Sequence, residues 1–183
     1  MAAAGKTVLS CDLGIRNLAL AKLTVRGGRV VTVHHASVHD IVAEGGCTAR
    51  NCKSIPQDRM IGYLAECLSA LEPELLCDPP PAHLVVECQP GRRFAALASA
   101  VLMWGRLRVP GLPLRQMSPL AKFNCVGGHG RAKGHAALKK YAIECARGLV
   151  PEGELADLND HVADCVLQAC SLGVVRRRGK KGA

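Results

Sequence analysis

Three apolar runs crowd the start of the chain, and they constrain the fold more than any other feature. They are KTVLSCDL (6–13), LALAKLTV (18–25) and RVVTVHHASV (29–38), with Gly27-Gly28 between the second and third. Runs this short, joined by a two-glycine turn, predict three consecutive strands with a hairpin between the last two. Helical spacing begins only at Gln57, where Met60, Ile61, Leu64, Ala65, Leu68 and Leu71 recur at steps of three and four. Pro79-Pro80-Pro81 ends that region before LVVEC (84–88), which has a buried-strand pattern. Residues 92–106 predict a helix stopped by Pro110 and Pro113, and PLRQM (113–117) a short strand. The segment 40–55, with Gly45-Gly46, reads as a loop, as does the glycine-rich basic CVGGHGRAKG (125–134). Helices are expected from His135 to Arg147 and from Leu155 to Leu172. Three strands, then helix, strand, helix, strand and helices, is the order of an α/β fold with a mixed sheet flanked by α-helices. At 183 residues the chain is expected to form one domain over 1–174. A basic tail, 175–183, carries Arg176, Arg177, Arg178, Lys180 and Lys181 and is expected to stay disordered.

Composition narrows the partners. With 49% apolar residues the chain can bury a core, and with 3% aromatic it is poorly equipped to bind single strands on stacked rings. The formal charge of +9 favours a polyanion, although a ribosomal or membrane-surface protein would share it. No apolar run approaches the roughly 18–20 residues of a membrane span. MAAAGKT has neither the charged nor the apolar region of a signal peptide, so the ten cysteines are expected as reduced thiols in an intracellular compartment. Cys11, Cys88, Cys165 and Cys170 lie in apolar runs, where cysteine acts as a small hydrophobe. Cys47 and Cys52 could form a zinc site with His39, but free thiols are the expectation.

Three places could carry chemistry. Asp12 ends the first strand, where it is either a turn former before Gly14 or a functional carboxylate. Glu87 sits inside an apolar strand and needs a partner, either Arg92 or Arg93 or a metal ion. In LNDHVADCVLQAC, Asp160 and Asp164 are one helical turn apart, with His161 three residues before Asp164. Leu158, Val162, Cys165, Val166 and Ala169 form the opposite, core-facing stripe. The plain alternative is a solvated acidic face with Asp160 as helix cap. Taken together, acids on a first strand, a middle strand and a late helix make the set that a metal-dependent phosphodiesterase needs. Two divalent ions roughly 3.5–4 Å apart would activate water and stabilise the leaving oxygen, and hard oxygen ligands suit magnesium. Basic residues dominate between 91 and 150, where Glu144 is the only acid, as on a phosphate-tracking surface. The glycine-rich 127–134 lacks the ending of a nucleotide-binding loop and reads as a mobile basic loop.

Five segments, LSCDLGIRNLALA (9–21), VVECQPGRR (85–93), MSP (117–119), RAKGHAALKK (131–140) and NDHVADCVLQA (159–169), together resemble the RuvC-like Holliday-junction resolvases. These belong to the ribonuclease-H-like superfamily, and the resemblance is to its poxvirus and fungal-mitochondrial branch. It implies a ribonuclease-H-like sheet and a magnesium-dependent endonuclease, with Mn2+ substituting and two ions per site. It further implies a homodimer that places paired nicks across a four-way DNA junction. Asp12, Glu87 and Asp164 would be metal ligands, joined by His161 or the adjacent Asp160. Lys133 would be the functional lysine, with Lys122 and Lys139 as alternatives. Arg92, Arg93, Arg131, Lys133, Lys139 and Lys140 would meet DNA. Helices near 57–71 and 92–106 are the expected dimer surface. The rivals are a nuclease for flaps or RNA–DNA hybrids, and a non-catalytic, splicing-type nucleic-acid binder. The intact carboxylate set speaks against the binder.

Overall fold

The computed structural model describes residues 4–44, 54–128, 132, 134–155 and 158–173. The three N-terminal runs are strands β1 (Lys6–Asp12), β2 (Leu18–Arg26) and β3 (Arg29–His39). Gly27 and Gly28 turn the β2–β3 hairpin with φ of 59° and 78°, the pair of positive values that a type I′ turn demands. Helices α1 (Ile41–Glu44), α2 (Gln57–Ala70) and α3 (Glu72–Leu76) lead to β4 (His83–Glu87). Then come α4 (Arg92–Arg108), β5 (Leu114–Met117), a 3-10 helix (Ala121–Val126), α5 (His135–Arg147) and α6 (Asp160–Gly173). The sheet order is β3-β2-β1-β4-β5. The first three strands are antiparallel neighbours, whereas β1–β4 and β4–β5 are parallel pairs.

Strand alternation sorts the side chains into two cores. Leu9, Cys11, Leu18, Leu20, Leu84 and Val86 pack on one face with α1, α2 and α4. Val8, Ala19, Ala21, Leu23 and Val85 pack on the other with α5 and α6. Period-two alternation therefore sends Ser10, Asp12 and Glu87 to the α6 face, on the same side as Val8 and Val85. The small Ala19 and Ala21 let α6 lie close to the sheet, with Cys165 Sγ 3.5 Å from the Ala19 carbonyl. On the opposite face α4 approaches just as closely at Gly105, where an added Cβ would sit 2.5 Å from Leu84 Cδ2.

Several expectations shift. The loop expected over 40–55 begins with α1, because Asp40 Oδ1 accepts the amides of Val42 and Ala43 at 3.2 and 3.0 Å. This is a helix N-cap. The helix expected from Leu155 starts at Asp160. Asn159 caps it, accepting the Val162 amide at 3.0 Å on Oδ1, so Asp160 is not the cap. Cys88 is exposed just beyond β4 rather than buried in the core. The described cysteines form no disulfide, and Cys11, Cys67, Cys165 and Cys170 are buried. Among the described residues no helix is long and apolar enough to cross a membrane. Cys47, Cys52, residues 129–131 and 133 of the basic loop, and the 175–183 tail lie outside the described residues.

Candidate active site

β1 and β4 run side by side in parallel, and their last residues are Asp12 and Glu87. Both carboxylates emerge from the same face at the same end of the sheet. Helix α6 crosses that face and adds Asp164, so that one oxygen from each acid lies within 4.8 Å of the other two. Asp12 is 4% exposed and Glu87 5%, a burial that ionised acids sustain only with strong partners. The partners are specific. Lys122 Nζ, from the 3-10 helix, reaches Glu87 Oε2 at 3.0 Å and Asp164 Oδ2 at 2.6 Å. Gln89 Nε2 donates to Asp12 Oδ1 at 3.0 Å, and His161 Nδ1 lies 3.5 Å from Asp12 Oδ2. Gln168 Nε2 donates to Glu87 Oε2 at 3.1 Å.

The electrostatics follow from this crowding. Burial pushes Glu87 up to about 7; Lys122 opposes the rise and Asp12 and Asp164 reinforce it. Burial likewise raises Asp164 against the pull of Lys122. Burial by itself would lower the Lys122 ammonium, but the two carboxylates outweigh it and raise its pKa. The hydrogen bond to Asp12 raises His161 against partial burial, with Asp160 adding to the rise. For Asp160, burial is outweighed by the ion pair with Lys139 and by His161, which hold its carboxyl below the usual range.

A cavity of about 520 Å³ opens over these groups, bounded also by Pro90, Pro119, Leu120, His135 and Leu138. Asp12, Glu87, His161 and Asp164 thus meet in one place. Asp160 lines the same cavity but turns to Lys139 Nζ, whereas His161 faces Asp12. Glu87, for which Arg92, Arg93 or a metal ion stood open as partner, meets the lysine Lys122. Arg93 Nη2 donates to the Ile55 carbonyl at 3.2 Å and Arg92 opens α4 as an exposed residue. Lys140 is exposed on α5, while Arg131 and Lys133 lie outside the described residues. Sequence reasoning missed Ser10, Gln89 and Gln168. For Ser10 and Gln168 the one signal was a polar side chain where the strand or helix pattern called for an apolar one; Gln89, in the loop after β4, carried none.

Two parallel strands tipped with acids, flanked by an antiparallel hairpin and crossed by an acid-bearing helix, define a class. The chain has the ribonuclease-H-like fold of the RuvC-type Holliday-junction resolvases. Thermus thermophilus RuvC, in a structure with a Holliday-junction substrate, superimposes with a TM-score of 0.60 at 23% identity, over 91% of this chain and 92% of that one. The yeast mitochondrial Holliday-junction resolvase Ydc2 gives 0.58 at 20%, over 91% and 77%. The fowlpox virus resolvase, bound to substrate junction DNA, gives 0.52 at 11%, over 91% and 93%. No protein-family model matches the chain, and no curated protein matches it in sequence.

Proposed function

We propose that this chain is an endonuclease that resolves four-way DNA junctions by paired, metal-dependent nicks. The observation that carries the reading is the convergence of Asp12, Glu87 and Asp164 in one largely buried cluster on a resolvase fold. Three carboxylates facing one lysine leave uncompensated negative charge. A set of hard oxygen donors this close together fits Mg2+, with Mn2+ as substitute. Asp12, Glu87 and Asp164 would hold the metal, two ions in all, with His161 as a nitrogen donor beside them. When bound, the metal supplies an activated water and offsets charge on the phosphate.

The remaining steps belong to the chain itself. Gln89 holds the orientation of Asp12, and Lys122 holds Glu87 and Asp164 together while placing a positive charge at the cavity wall. His161 Nδ1, 3.5 Å from Asp12 Oδ2, supports that carboxylate from the side of α6. Pro90, Pro119 and Leu120 line the cavity beside these polar groups and would give it an apolar border. Lys133 is proposed as the functional lysine from the basic loop. Arg92, Arg93, Arg131, Lys139 and Lys140 are proposed to track DNA phosphates.

Paired nicks need two such centres, hence a homodimer. Met103 and Leu107, one turn apart on α4, are 63% and 72% exposed, which supports α4 as the shared surface. The apolar stripe of α2 (Met60, Leu64, Leu68) is buried in the chain's own core, so the proposal favours α4 over α2. The nuclease domain is proposed to span 1–174, ahead of the 175–183 tail, in an intracellular reducing compartment.

The test is incubation with a labelled four-way junction, a flap and an RNA–DNA hybrid, with and without Mg2+. Paired, Mg2+-dependent nicks in the junction are expected. Preferential cutting of flaps or hybrids would favour the related-nuclease reading, and binding without cutting the non-catalytic one.

A further inference from the structure

Gln168 is wholly buried, yet its amide does work that packing does not require. It stands one turn beyond Asp164 on α6, and a helix places residues four apart on one face. Its Nε2 donates to Glu87 Oε2 at 3.1 Å, and its Oε1 accepts from Ser10 Oγ at 3.2 Å. Ser10 is equally buried, on β1, two residues before Asp12 and on the same strand face. Lys122 and the Gln168 NH2 both donate to Glu87 Oε2, which leaves the amide oxygen for the serine hydroxyl. The chain Ser10–Gln168–Glu87 therefore has one internally consistent direction and ties β1, α6 and β4 together at the floor of the site.

Among the described residues, both donors to Glu87, Lys122 and Gln168, engage the same oxygen, Oε2. Oε1 remains as the oxygen with which to meet a cation. From this geometry we infer that Gln168 is a positioning residue. Held by Ser10, it fixes the rotation of the Glu87 carboxylate and keeps Oε1 clear of protein donors, so that Oε1 would be available to a metal. The inference rests on the nuclease reading above and extends it to a residue that touches neither metal nor DNA. Outer partners of this kind typically change metal affinity or activity by about 10–100-fold when removed.

The experiment measures Mn2+ binding to the intact chain by electron paramagnetic resonance, alongside Mg2+-dependent junction cleavage and thermal melting. Gln168→Met keeps the side-chain length and apolar packing and removes both hydrogen bonds. It is expected to weaken Mn2+ binding by about tenfold or more. The Mg2+ needed for half-maximal cleavage should rise by a similar factor, with junction affinity in the absence of divalent ions unchanged. Ser10→Ala should shift both quantities in the same direction by less. Mn2+ affinity equal to that of the unaltered chain in a folded Gln168→Met protein would overturn the inference and leave the nuclease reading standing. If Gln168→Met does not fold, Ser10→Ala decides, and unaltered Mn2+ binding there overturns the inference. An unaltered chain that neither binds Mn2+ nor cuts junctions removes the nuclease reading, and the inference with it.

Discussion

Replacing Glu87 by glutamine removes a buried ionisation while keeping the shape of the side chain. Its effect on metal-free stability can be worked from the site. Glu87 has its pKa raised from 4.5 to about 7 in the folded protein. The folded state therefore binds the proton more tightly than the unfolded chain, and metal-free stability falls as pH rises from 4.5 through 7. The gap of about 2.5 units corresponds to a penalty on the order of 3 kcal/mol above pH 7, at about 1.4 kcal/mol per unit. Near pH 5, where the folded-state carboxyl is still protonated, the penalty is below about 1 kcal/mol. Glutamine resembles the protonated acid, so Glu87→Gln should be the more stable protein in chelator at pH 8. For a chain of this length each kcal/mol moves Tm by about 2–4 °C, so the gain should be several degrees at pH 8 and small at pH 5. Mg2+ should close most of the gap at pH 8 and put the unaltered chain ahead at pH 5, because a ligand at 100 times its Kd adds about 2.7 kcal/mol to the protein that binds it. Scanning calorimetry of both proteins at the two pH values, in chelator and in Mg2+, measures all four differences. Equal Tm at pH 8 in chelator, or an Mg2+ shift that survives the substitution, would refute the account of Glu87 as a strained acid awaiting a cation.

Asp12→Asn and Asp164→Asn should each abolish cleavage while leaving junction affinity equal or tighter, as gel shift and product analysis will show; normal cutting in either variant removes that residue from the site. Gly105→Ala forces a methyl group to 2.5 Å from Leu84 Cδ2 and should cost about 1–3 kcal/mol of stability as overpacking. Its urea midpoint should fall, with cleavage kept under native conditions. Met103→Asp with Leu107→Asp should convert the proposed dimer to a monomer in sedimentation without lowering Tm, since both side chains are exposed. A protein of unchanged mass after both substitutions would move the dimer surface off α4.

Much of the fold was legible because its signals are local. The apolar runs, the Gly27-Gly28 turn and the periodicity of α2 and α5 each lie within one window of chain. Asp12 and Glu87 were legible for the opposite reason, being acids at the ends of apolar strands where local preference argues against them. The short α1 and α3 escaped notice because a single cap or proline, not a hydrophobic stripe, starts each one. The partner of Glu87 was illegible in principle: Lys122 and Gln168 meet it across 35 and 81 residues of separation. Lys122 sits in a 3-10 segment with no apolar period, and nothing nearby in sequence marks it as buried. The nearer Arg92 and Arg93 looked better placed, but β4 ends and the chain turns before they can point back.

The position of α6 bears on the order of synthesis. Its residues arrive long after the strands they cover, and they bring Asp164, His161 and Gln168 together with the apolar lid over Val8, Ala19, Ala21 and Val85. A nascent or prematurely terminated chain ending before residue 158 would hold two of the three acids and leave much of this apolar sheet face uncovered. Such a product cannot complete the acidic triad, and its uncovered face marks it for chaperones and proteases. A complete acidic triad and cover for this sheet face are thus acquired in a single event, the docking of one helix.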